Sequence, residues 1–323
     1  MKAIVYHSYG SPDVLKCEEI EKPAPKDNEV LVKVRAASLN PLDWRLMKGE
    51  PSALRIFFGL RRPKFGQPGV DVAGVVESVG KNVTRFKPGD EVFGACRGAC
   101  AEYASAPESR LAVKPSNVTF EQAASVNVAA LTALQGLRDK GSLKPAQKVL
   151  INGAAGGVGT FAVQIAKWLG AQVTGVCSTR NLEMVRSIGA DRVIDYTRED
   201  FTKSGQRYDV ILDNVANHPL SAIRRVLNPK GRYIMVGAPH SPSMIELLGG
   251  LLKPLMLSLF VSQKLSFFIA KPNKEDLTMI GELISSGKVT PVIDRRYRLS
   301  EVPDAMRYLE EGHARGKVVI VVE

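Results

Sequence analysis

The sequence predicts an α/β protein with two domains, one built mostly of β-strands and the other of a doubly wound parallel sheet. Two observations carry this prediction. Residues 148–159 have the pattern of a buried strand that turns on small residues into a helix, and strands and helices alternate after it. The first 121 residues are rich in short alternating strands and turn residues instead. A chain of 323 residues is long enough for two sizeable cores.

The strand-turn-helix stretch has the features of a dinucleotide site. Val149–Ile151 is a short apolar run, and apolar residues recur at helical spacing after Gly159. The turn Ala154-x-Gly156-x-x-Gly159 matches the dinucleotide fingerprint with alanine at its first glycine position. Free N–H groups at a helix N-terminus attract phosphate, and small residues let it approach the backbone. An ordinary tight connection is the alternative. The residues expected to contact the cofactor here are Ala155, Gly156, Gly157, Val158 and Gly159.

The elements after this turn continue the alternation. They are strands at 171–177, 192–194, 208–213 and 231–236, with helices at 181–188 and 219–227. Such a series favours a parallel sheet covered on both faces, so we interpret it as a Rossmann domain.

The remaining chain is predicted to form the β domain. Strands are expected at 30–34, 70–79, 91–94 and 103–106. The tail is expected to contain helices at 276–286 and 301–311, the second capped by Ser300, and a closing strand at 317–322. Because the tail is too short to fold alone, it should pack back on the first domain. The predicted domains are therefore 1–121 with 269–323, and 122–268.

Charge and cysteine usage limit the function classes. The net charge of +11 permits attraction to phosphate-bearing partners, but the basic residues are spread along the chain, which favours a solvated surface over a nucleic-acid stripe. Cys17, Cys96, Cys100 and Cys177 form neither a disulfide framework nor a zinc ribbon. With a strand starting at Met1 and no signal-like leader, a cytoplasmic location is expected.

Residues 245–270 form the most apolar stretch of the chain. Charged residues and a glycine pair interrupt it, so no uncharged run reaches the roughly 20 residues that a spanning helix needs. A buried or interface segment, a lid over a hydrophobic pocket, and reversible contact with a membrane surface are the alternatives.

The motifs and their order resemble the medium-chain dehydrogenase/reductase superfamily, and within it the zinc-independent quinone oxidoreductase-like group. The motifs are Ala36-Ala37-Ser38-Leu39-Asn40-Pro41-Leu42-Asp43, Gly69-Val70-Asp71-Val72-Ala73-Gly74, Phe86-Lys87-Pro88-Gly89-Asp90, Leu131-Thr132-Ala133, the turn at 154–159, and Gly316-Lys317-Val318-Val319. The resemblance covers essentially the whole chain. It implies a GroES-like β-barrel catalytic domain, a Rossmann cofactor domain, and a homodimer.

The resemblance also bears on metal binding. Where zinc-dependent relatives carry a ligand cysteine, this chain has Asn40-Pro41, and where they carry Gly-His-Glu it has Gly69-Val70-Asp71. A catalytic zinc needs about three thiolate, imidazole or carboxylate ligands, and neither that set nor a structural set is present in the sequence. We therefore predict no metal site.

The end of the second Rossmann strand indicates which cofactor binds. An NAD-specific enzyme places an acid there, about 20 residues past the fingerprint, to bind the ribose 2′-hydroxyl. This chain instead has Ser178-Thr179-Arg180, whose hydroxyls and guanidinium offer donors to a 2′-phosphate. The alternative for Arg180 is the solvated start of a helix. By resemblance Tyr196 approaches the same phosphate, so NADP(H) is the expected cofactor.

Further cofactor contacts follow from the resemblance alone. It implies that Asn214, Val215, Val236 and Gly237 line the nicotinamide and its ribose. Thr132, expected at the start of the helix that enters the Rossmann domain, and Lys317 match other cofactor-contact positions. A helix-cap hydroxyl and a surface cation, respectively, are the alternatives for these two.

Without a metal, the remaining reaction is transfer of a hydride from the nicotinamide to a quinone or to the β-carbon of an α,β-unsaturated carbonyl. Asn40 and Asp43 are the candidate catalytic residues: Asn40 as a hydrogen-bonding group toward cofactor or substrate, Asp43 as a proton donor. A structural aspartate in an Asn-Pro-x-Asp turn is the alternative for Asp43. A competing hypothesis is a redox-sensing NADP(H)-binding module with a nucleic-acid or membrane-surface partner.

Overall fold

The structure is a computed structural model that describes residues 1–52, 54–64, 66–236 and 261–323. The strands in these ranges are β1 Lys2–Val5, β2 Lys16–Glu19, β3 Glu29–Leu39, β4 Asp71–Val79, β5 Glu91–Ala95, β6 Tyr103–Pro107, β7 Leu111–Val113, β8 Lys148–Asn152, β9 Gln172–Cys177, β10 Arg192–Asp195, β11 Tyr208–Asp213, β12 Leu227–Met235, β13 Lys264–Phe267, β14 Ile293–Arg298 and β15 Lys317–Val321. The helices are α1 Pro41–Lys48, α2 Leu54–Phe58, α3 Phe120–Ala124, α4 Asn127–Gln135, α5 Gly157–Trp168, α6 Leu182–Ser187, α7 Leu220–Arg225, α8 Lys274–Ser285 and α9 Val302–Glu310. The predicted α/β fold class is confirmed.

The chain divides into two compact units. The first contains Met1–Ala129, Lys271–Gly287 and Pro291–Glu323, and the second contains Ala130–Ala270 and Lys288–Thr290. The sequence placed the first boundary at residue 121, whereas the division falls inside α4. The three residues ending at Thr290 belong to the second unit because the Gln164 side chain of α5 bonds the backbone N–H and C=O of Thr290, at 2.7 and 2.9 Å.

The second unit is a six-stranded parallel sheet in the order β10-β9-β8-β11-β12-β13. Five of these strands were predicted. The sixth, β13, lies in the stretch 245–270, where no strand was predicted; Leu265 is 2 % exposed, which agrees with the buried-segment alternative. Pairing with β12 makes this short segment a strand, a long-range contact that periodicity does not reveal. Residues 245–260 lie outside the described residues.

The first unit contains a seven-stranded, mostly antiparallel sheet and a two-stranded antiparallel sheet of β1 and β2. The strands of the larger sheet follow the order β14-β15-β3-β4-β5-β7, and β6 also pairs with β3. The closing strand β15 lies antiparallel to β3, so the tail packs back on the first domain as expected. Alternating residues of β3, such as Val30 and Val32, pack with Val318 and Ile320 of β15 in one core.

One prediction about a helix cap is wrong, and one helix was not predicted. Ser300 does not cap α9, because it lies inside a 3₁₀ turn over Leu299–Glu301, where the Glu301 carboxylate accepts the Arg298 N–H at 2.7 Å. Helix α1 was not predicted at all. It starts directly after Asn40, with proline in its first turn, where proline costs no hydrogen bond.

No helix in the described part of the chain is long and apolar enough to cross a membrane.

Candidate cofactor and active site

The carboxyl ends of the parallel strands meet along one edge of the second unit. The strand registers pair Asn152 with Val176 and with Asp213, and Cys177 with Asp195. Open parallel sheets bind their ligands outside this edge. The predicted cofactor residues on β8, β9, β10 and β11 therefore share one edge.

The small-residue turn has the shape that a phosphate site needs. Gly153 has φ of 77°, a left-handed conformation that favours glycine. A Cβ at Gly159 would lie 2.1 Å from the Gly153 carbonyl oxygen, so only glycine fits there. A Cβ at Gly156 would instead meet nothing closer than 3.6 Å, which leaves open space before the N-terminus of α5. These features fit a pyrophosphate against bare backbone N–H groups.

The loop after β11 is organised by a buried aspartate that sequence analysis missed. Asp213 is fully buried, and its Oδ1 accepts the N–H groups of Val215 and Ala216 at 3.0 and 2.8 Å. The Tyr233 hydroxyl donates to Asp213 Oδ2 at 2.9 Å, and Asn152 Nδ2 donates to Oδ1 at 2.8 Å. The only sequence signal was an acid at the end of an apolar strand.

This loop places the residues expected to line the nicotinamide. Asn214 Nδ2 donates to the Asn152 carbonyl at 2.9 Å, while its Oδ1 is buried with no partner among the described residues. Such an orphaned acceptor fits a ligand N–H, and the nicotinamide carboxamide offers one. The N–H of Val236 donates to the Asp213 carbonyl at 3.0 Å, and Gly237 lies outside the described residues.

The end of β9 differs from the expectation at one residue. The hydroxyl of Thr179 donates its one hydrogen to Asp195 Oδ2 at 2.6 Å, so this geometry does not favour the donor role toward a 2′-phosphate that was expected for Thr179. Ser178 Oγ accepts from Asn181 Nδ2 at 3.1 Å and keeps its own hydrogen to donate. Arg180 and Tyr196 are both exposed, as residues that meet a cofactor phosphate can be.

A second group of candidate residues surrounds a buried aspartate in the first unit. Asp71 is fully buried, and Lys317, 2 % exposed, lies with its Nζ 3.2 Å from Asp71 Oδ2. Lys317 Nζ also donates to Asn40 Oδ1 at 2.7 Å, and Asn40 Nδ2 donates to Asp71 Oδ2 at 3.0 Å. The surface-cation alternative for Lys317 is therefore wrong. Each of Lys317 and Asn40 retains an N–H beyond these bonds.

Asp71 also anchors the start of α4. Its Oδ1 accepts from Asn127 Nδ2 at 3.0 Å and from the N–H of Val128 at 3.1 Å. In the sequence Asp71 stands out only as part of a motif, although a lone acid between two valines is a usable signal of a satisfied buried charge. Thr132 lies in the middle of α4 rather than at its start, so the helix-cap alternative is wrong for it.

Asp43 has the geometry of a structural residue. Its Oδ2 accepts the Asn40 N–H at 2.7 Å and its Oδ1 accepts the Gly69 N–H at 3.0 Å. Burial raises the pKa of this carboxyl to about 6, against the lowering effect of those two bonds. Because both oxygens bind backbone at the start of α1, the geometry favours the structural alternative over the proton donor.

Cys96 and Cys100, and the acids of the described ranges, provide no further reactive centre. Cys96 and Cys100 are buried free thiols, and burial raises the pKa of both above the usual range. Such thiols are unreactive, which supports their interpretation as small buried residues. No group of three or more His, Cys, Asp or Glu side chains among the described residues could hold a metal ion.

Two protein families and a plant enzyme are similar to this chain. Residues 26–116 match the family described as the alcohol dehydrogenase GroES-like domain, and residues 188–320 match the family described as zinc-binding dehydrogenase. The NADPH-dependent alkenal/one oxidoreductase of Arabidopsis thaliana chloroplasts is 36 % identical over 335 residues, covering 99 % of this chain and 79 % of its own.

Two solved structures are similar over the whole chain. The quinone oxidoreductase from Coxiella burnetii has a TM-score of 0.88 and 32 % identity, covering 100 % of this chain and 99 % of its own. The Escherichia coli quinone oxidoreductase complexed with NADPH has a TM-score of 0.82 and 26 % identity, covering 99 % and 100 %. The GroES-like and Rossmann parts of the predicted fold are confirmed by these matches.

Proposed function

Because the chain belongs to the medium-chain dehydrogenase/reductase family of zinc-type alcohol dehydrogenase-like proteins, in its quinone oxidoreductase-like group, we propose that it is an NADPH-dependent reductase of quinones and α,β-unsaturated carbonyls. The observation that carries this proposal is the match over 99 % of the chain to an NADPH-dependent alkenal/one oxidoreductase. The geometry of the sheet edge supports it, because the open space at Gly156 suits the central pyrophosphate and Asn214 Oδ1, which has no partner among the described residues, suits the nicotinamide end of a dinucleotide.

The chain's own residues bind and orient the cofactor. Backbone N–H groups at the start of α5 bind the pyrophosphate, and the Ser178 hydroxyl and Arg180 guanidinium bind the 2′-phosphate. Asn214 Oδ1 would accept from the nicotinamide carboxamide and so hold that end of the cofactor. When bound, NADPH supplies a hydride to the β-carbon of an enone or to a quinone.

Residues of the first unit provide a fixed polar group. The ammonium of Lys317 is held by Asn40 and Asp71 and keeps one N–H, and the family resemblance assigns a cofactor contact to this residue. Asp43 fixes the backbone at Asn40 and Gly69, so it acts as a positioning residue. Bulk water supplies the proton that completes the product, since no free acid is needed for an electron-poor acceptor.

We propose that this reaction needs no zinc. Asn40 is not a zinc ligand, and Asp71 is already engaged by Lys317 and by neutral donors. The donors present at these two positions thus do not form the three-ligand set of a catalytic zinc.

Label transfer tests both the acceptor class and the role of metal. Purified, chelator-treated protein is mixed with 4-deuterated NADPH and an enone, with the saturated ketone of the same carbon skeleton as a matched control. We expect NADPH oxidation with the enone only, deuterium at the β-carbon of the product, and no gain on adding zinc. Deuterium at the carbonyl carbon, turnover of the saturated ketone, or dependence on zinc would contradict the proposal.

We also propose that the chain works in the cytoplasm as a homodimer, with no nucleic-acid partner. Four free cysteines support a reducing compartment, and the family resemblance supports dimerisation. Sedimentation of the purified protein tests the dimer, and fractionation of the source cells tests the location. Affinity for DNA or RNA at physiological salt tests the expected absence of a nucleic-acid partner.

A further inference from the structure

Asp195 is an acid at the cofactor edge that the expected NADP(H) site does not use. It ends β10, next to Cys177 in the strand register, so its carboxylate lies beside the turn that follows β9. Its Oδ2 accepts the Thr179 hydroxyl at 2.6 Å. Its Oδ1 accepts the Thr197 hydroxyl at 2.8 Å and the Thr197 N–H at 3.0 Å. The carboxylate is therefore fixed in place by three hydrogen bonds.

These bonds decide which hydroxyls can donate to a 2′-phosphate. A hydroxyl has one hydrogen, and both Thr179 and Thr197 give theirs to Asp195. The 3.1 Å contact between the two threonine oxygens thus leaves neither with a spare donor. Ser178 differs, because it accepts from Asn181 and retains its hydrogen. Ser178 and Thr179 look equivalent in the sequence, but in the structure only Ser178 has a hydrogen left to donate.

The negative charge of Asp195 also disfavours a 2′-phosphate at this site. The bond from Thr179, followed by those from Thr197, lowers the pKa of this carboxyl, so it is ionised at neutral pH. Among the described residues its recorded ion pair is with Arg198, at 3.7 Å and with a side chain 76 % exposed, which compensates weakly. A phosphate placed at Ser178 and Arg180 therefore lies near a fixed negative charge, because Thr179 between these two residues bonds Asp195.

We propose that Asp195 is a specificity-determining residue of the cofactor site: it takes the Thr179 hydrogen and opposes the 2′-phosphate, so that the preference for NADPH over NADH is smaller than Ser178 and Arg180 alone would produce. This inference rests on the proposed function for the position of the phosphate. It adds an acid from the third strand, whereas the sequence pattern for cofactor choice looks only at the end of the second.

Binding of two nucleotides that differ only in the 2′-phosphate tests this directly. Dissociation constants of 2′,5′-ADP and 5′-AMP are measured by calorimetry for the wild type and for Asp195→Asn. We expect the substitution to tighten 2′,5′-ADP by about fivefold, because it removes one charge near the phosphate, and to change 5′-AMP by less than about twofold. An amide has one acceptor oxygen, so Asp195→Asn keeps the bond from Thr179 or those from Thr197 but not both, and the 5′-AMP measurement reports any effect of this loss on the turn.

Two further variants separate specificity from structure. Asp191→Asn is the matched control, because Asp191 precedes the same strand at its opposite end, where Lys167 holds it at 2.7 Å. It should leave the ratio of the two constants unchanged. Thr179→Val should change neither constant by more than about twofold, since its hydrogen is already used.

Some outcomes would overturn the inference, and one would refute only the proposed reductase activity. Equal loss of both nucleotides in Asp195→Asn, unchanged 2′,5′-ADP affinity, or strong loss of 2′,5′-ADP in Thr179→Val would each overturn the inference. If the wild type binds neither nucleotide, the cofactor site and this inference fall together. Nucleotide binding that responds as expected, without turnover of any acceptor, would support the inference and refute the proposed reductase activity alone.

Discussion

Replacing Lys317 by methionine removes the ammonium that neutralises Asp71 while keeping most of the side-chain volume. The two charged groups are 3.2 Å apart, and their side chains are 2 % and 0 % exposed. At an effective dielectric constant of about 20, the attraction between unit charges at that distance is about 5 kcal/mol. Desolvation of both groups offsets much of it, so the net value of the pair is small.

Removing one partner is costly for a different reason. In Lys317→Met the Asp71 carboxylate stays buried with only the neutral donors of Ser38, Asn40, Asn127 and Val128. Breaking a buried pair in this way typically costs about 3–5 kcal/mol of unfolding free energy. We expect a loss near the lower end, about 3 kcal/mol, because four neutral hydrogen bonds remain.

The assay is urea unfolding followed by tryptophan fluorescence in a Trp168→Phe background. The chain has two tryptophans, so Trp44, which is 3 % exposed, then reports on the first unit alone. A double-mutant cycle adds Asp71→Asn and the double variant. We expect the double variant to lose at least about 2 kcal/mol less than the sum of the two single losses, since it leaves no unpaired charge.

An exposed pair provides the control. Lys81 and Asp27 lie 2.9 Å apart with side chains 73 % and 58 % exposed, so Lys81→Met should have no measurable effect on unfolding. A loss below about 1 kcal/mol in Lys317→Met, or additive single losses in the cycle, would refute the argument that the buried charge controls stability here.

Three further predictions concern the cofactor turn and the buried carboxyl. Arg180→Ala should weaken NADPH roughly ten- to a hundred-fold, because a charge-assisted bond of about 1.5–3 kcal/mol is lost, and leave NADH kinetics nearly unchanged, with a smaller effect from Tyr196→Phe; equal loss with both cofactors would contradict this. Gly159→Ala should destabilise the second unit in thermal unfolding, because its Cβ would lie 2.1 Å from a carbonyl oxygen, whereas Gly156→Ala should fold normally and lose nucleotide affinity. The reverse pattern would show that the turn does not approach phosphate. Burial raises the pKa of Asp43 from 3.8 to about 6, so the folded state holds this proton more tightly than the unfolded state. The resulting contribution to stability is fully present below pH 3.8 and is lost as the pH rises through about 6. The stability difference between wild type and Asp43→Asn should therefore shrink by about 2.4 kcal/mol between about pH 4 and pH 7 in urea titrations, and a widening difference would refute this sign.

The sequence determined those parts of the fold that depend on neighbouring residues. The strand before Gly153, the turn and α5 follow from an apolar run, glycines and helical spacing within about twenty residues, and all appear where they were expected. The alternating pattern of β3 likewise predicts a half-buried strand, although the observed strand continues to Leu39. Such signals are local, because side-chain period and backbone preference act over one or two turns of chain.

The family resemblance identified Asn40 and Lys317 as candidate site residues, but the sequence did not show which residues they bond. Asn40 and Lys317 were named as separate contacts, yet in the structure they bond each other across 277 positions and share Asp71. Asp71 itself was not singled out. Its burial depends on β3, β4, β15 and the start of α4 converging on one carboxylate, and no local pattern encodes that convergence.

Tertiary structure alone decided how individual polar atoms are used. Thr179 and Ser178 are adjacent hydroxyl residues at the end of one strand, but the neighbouring strand brings Asp195 to Thr179, and Asn181 donates to Ser178. Strand β13 became part of the sheet because β12 pairs with it, not because of its own four residues. A hydrogen bond is specified by two positions, and a sequence read locally shows one of them. Which hydrogen remains free for a ligand is therefore settled only when the sheet register brings the second position into contact.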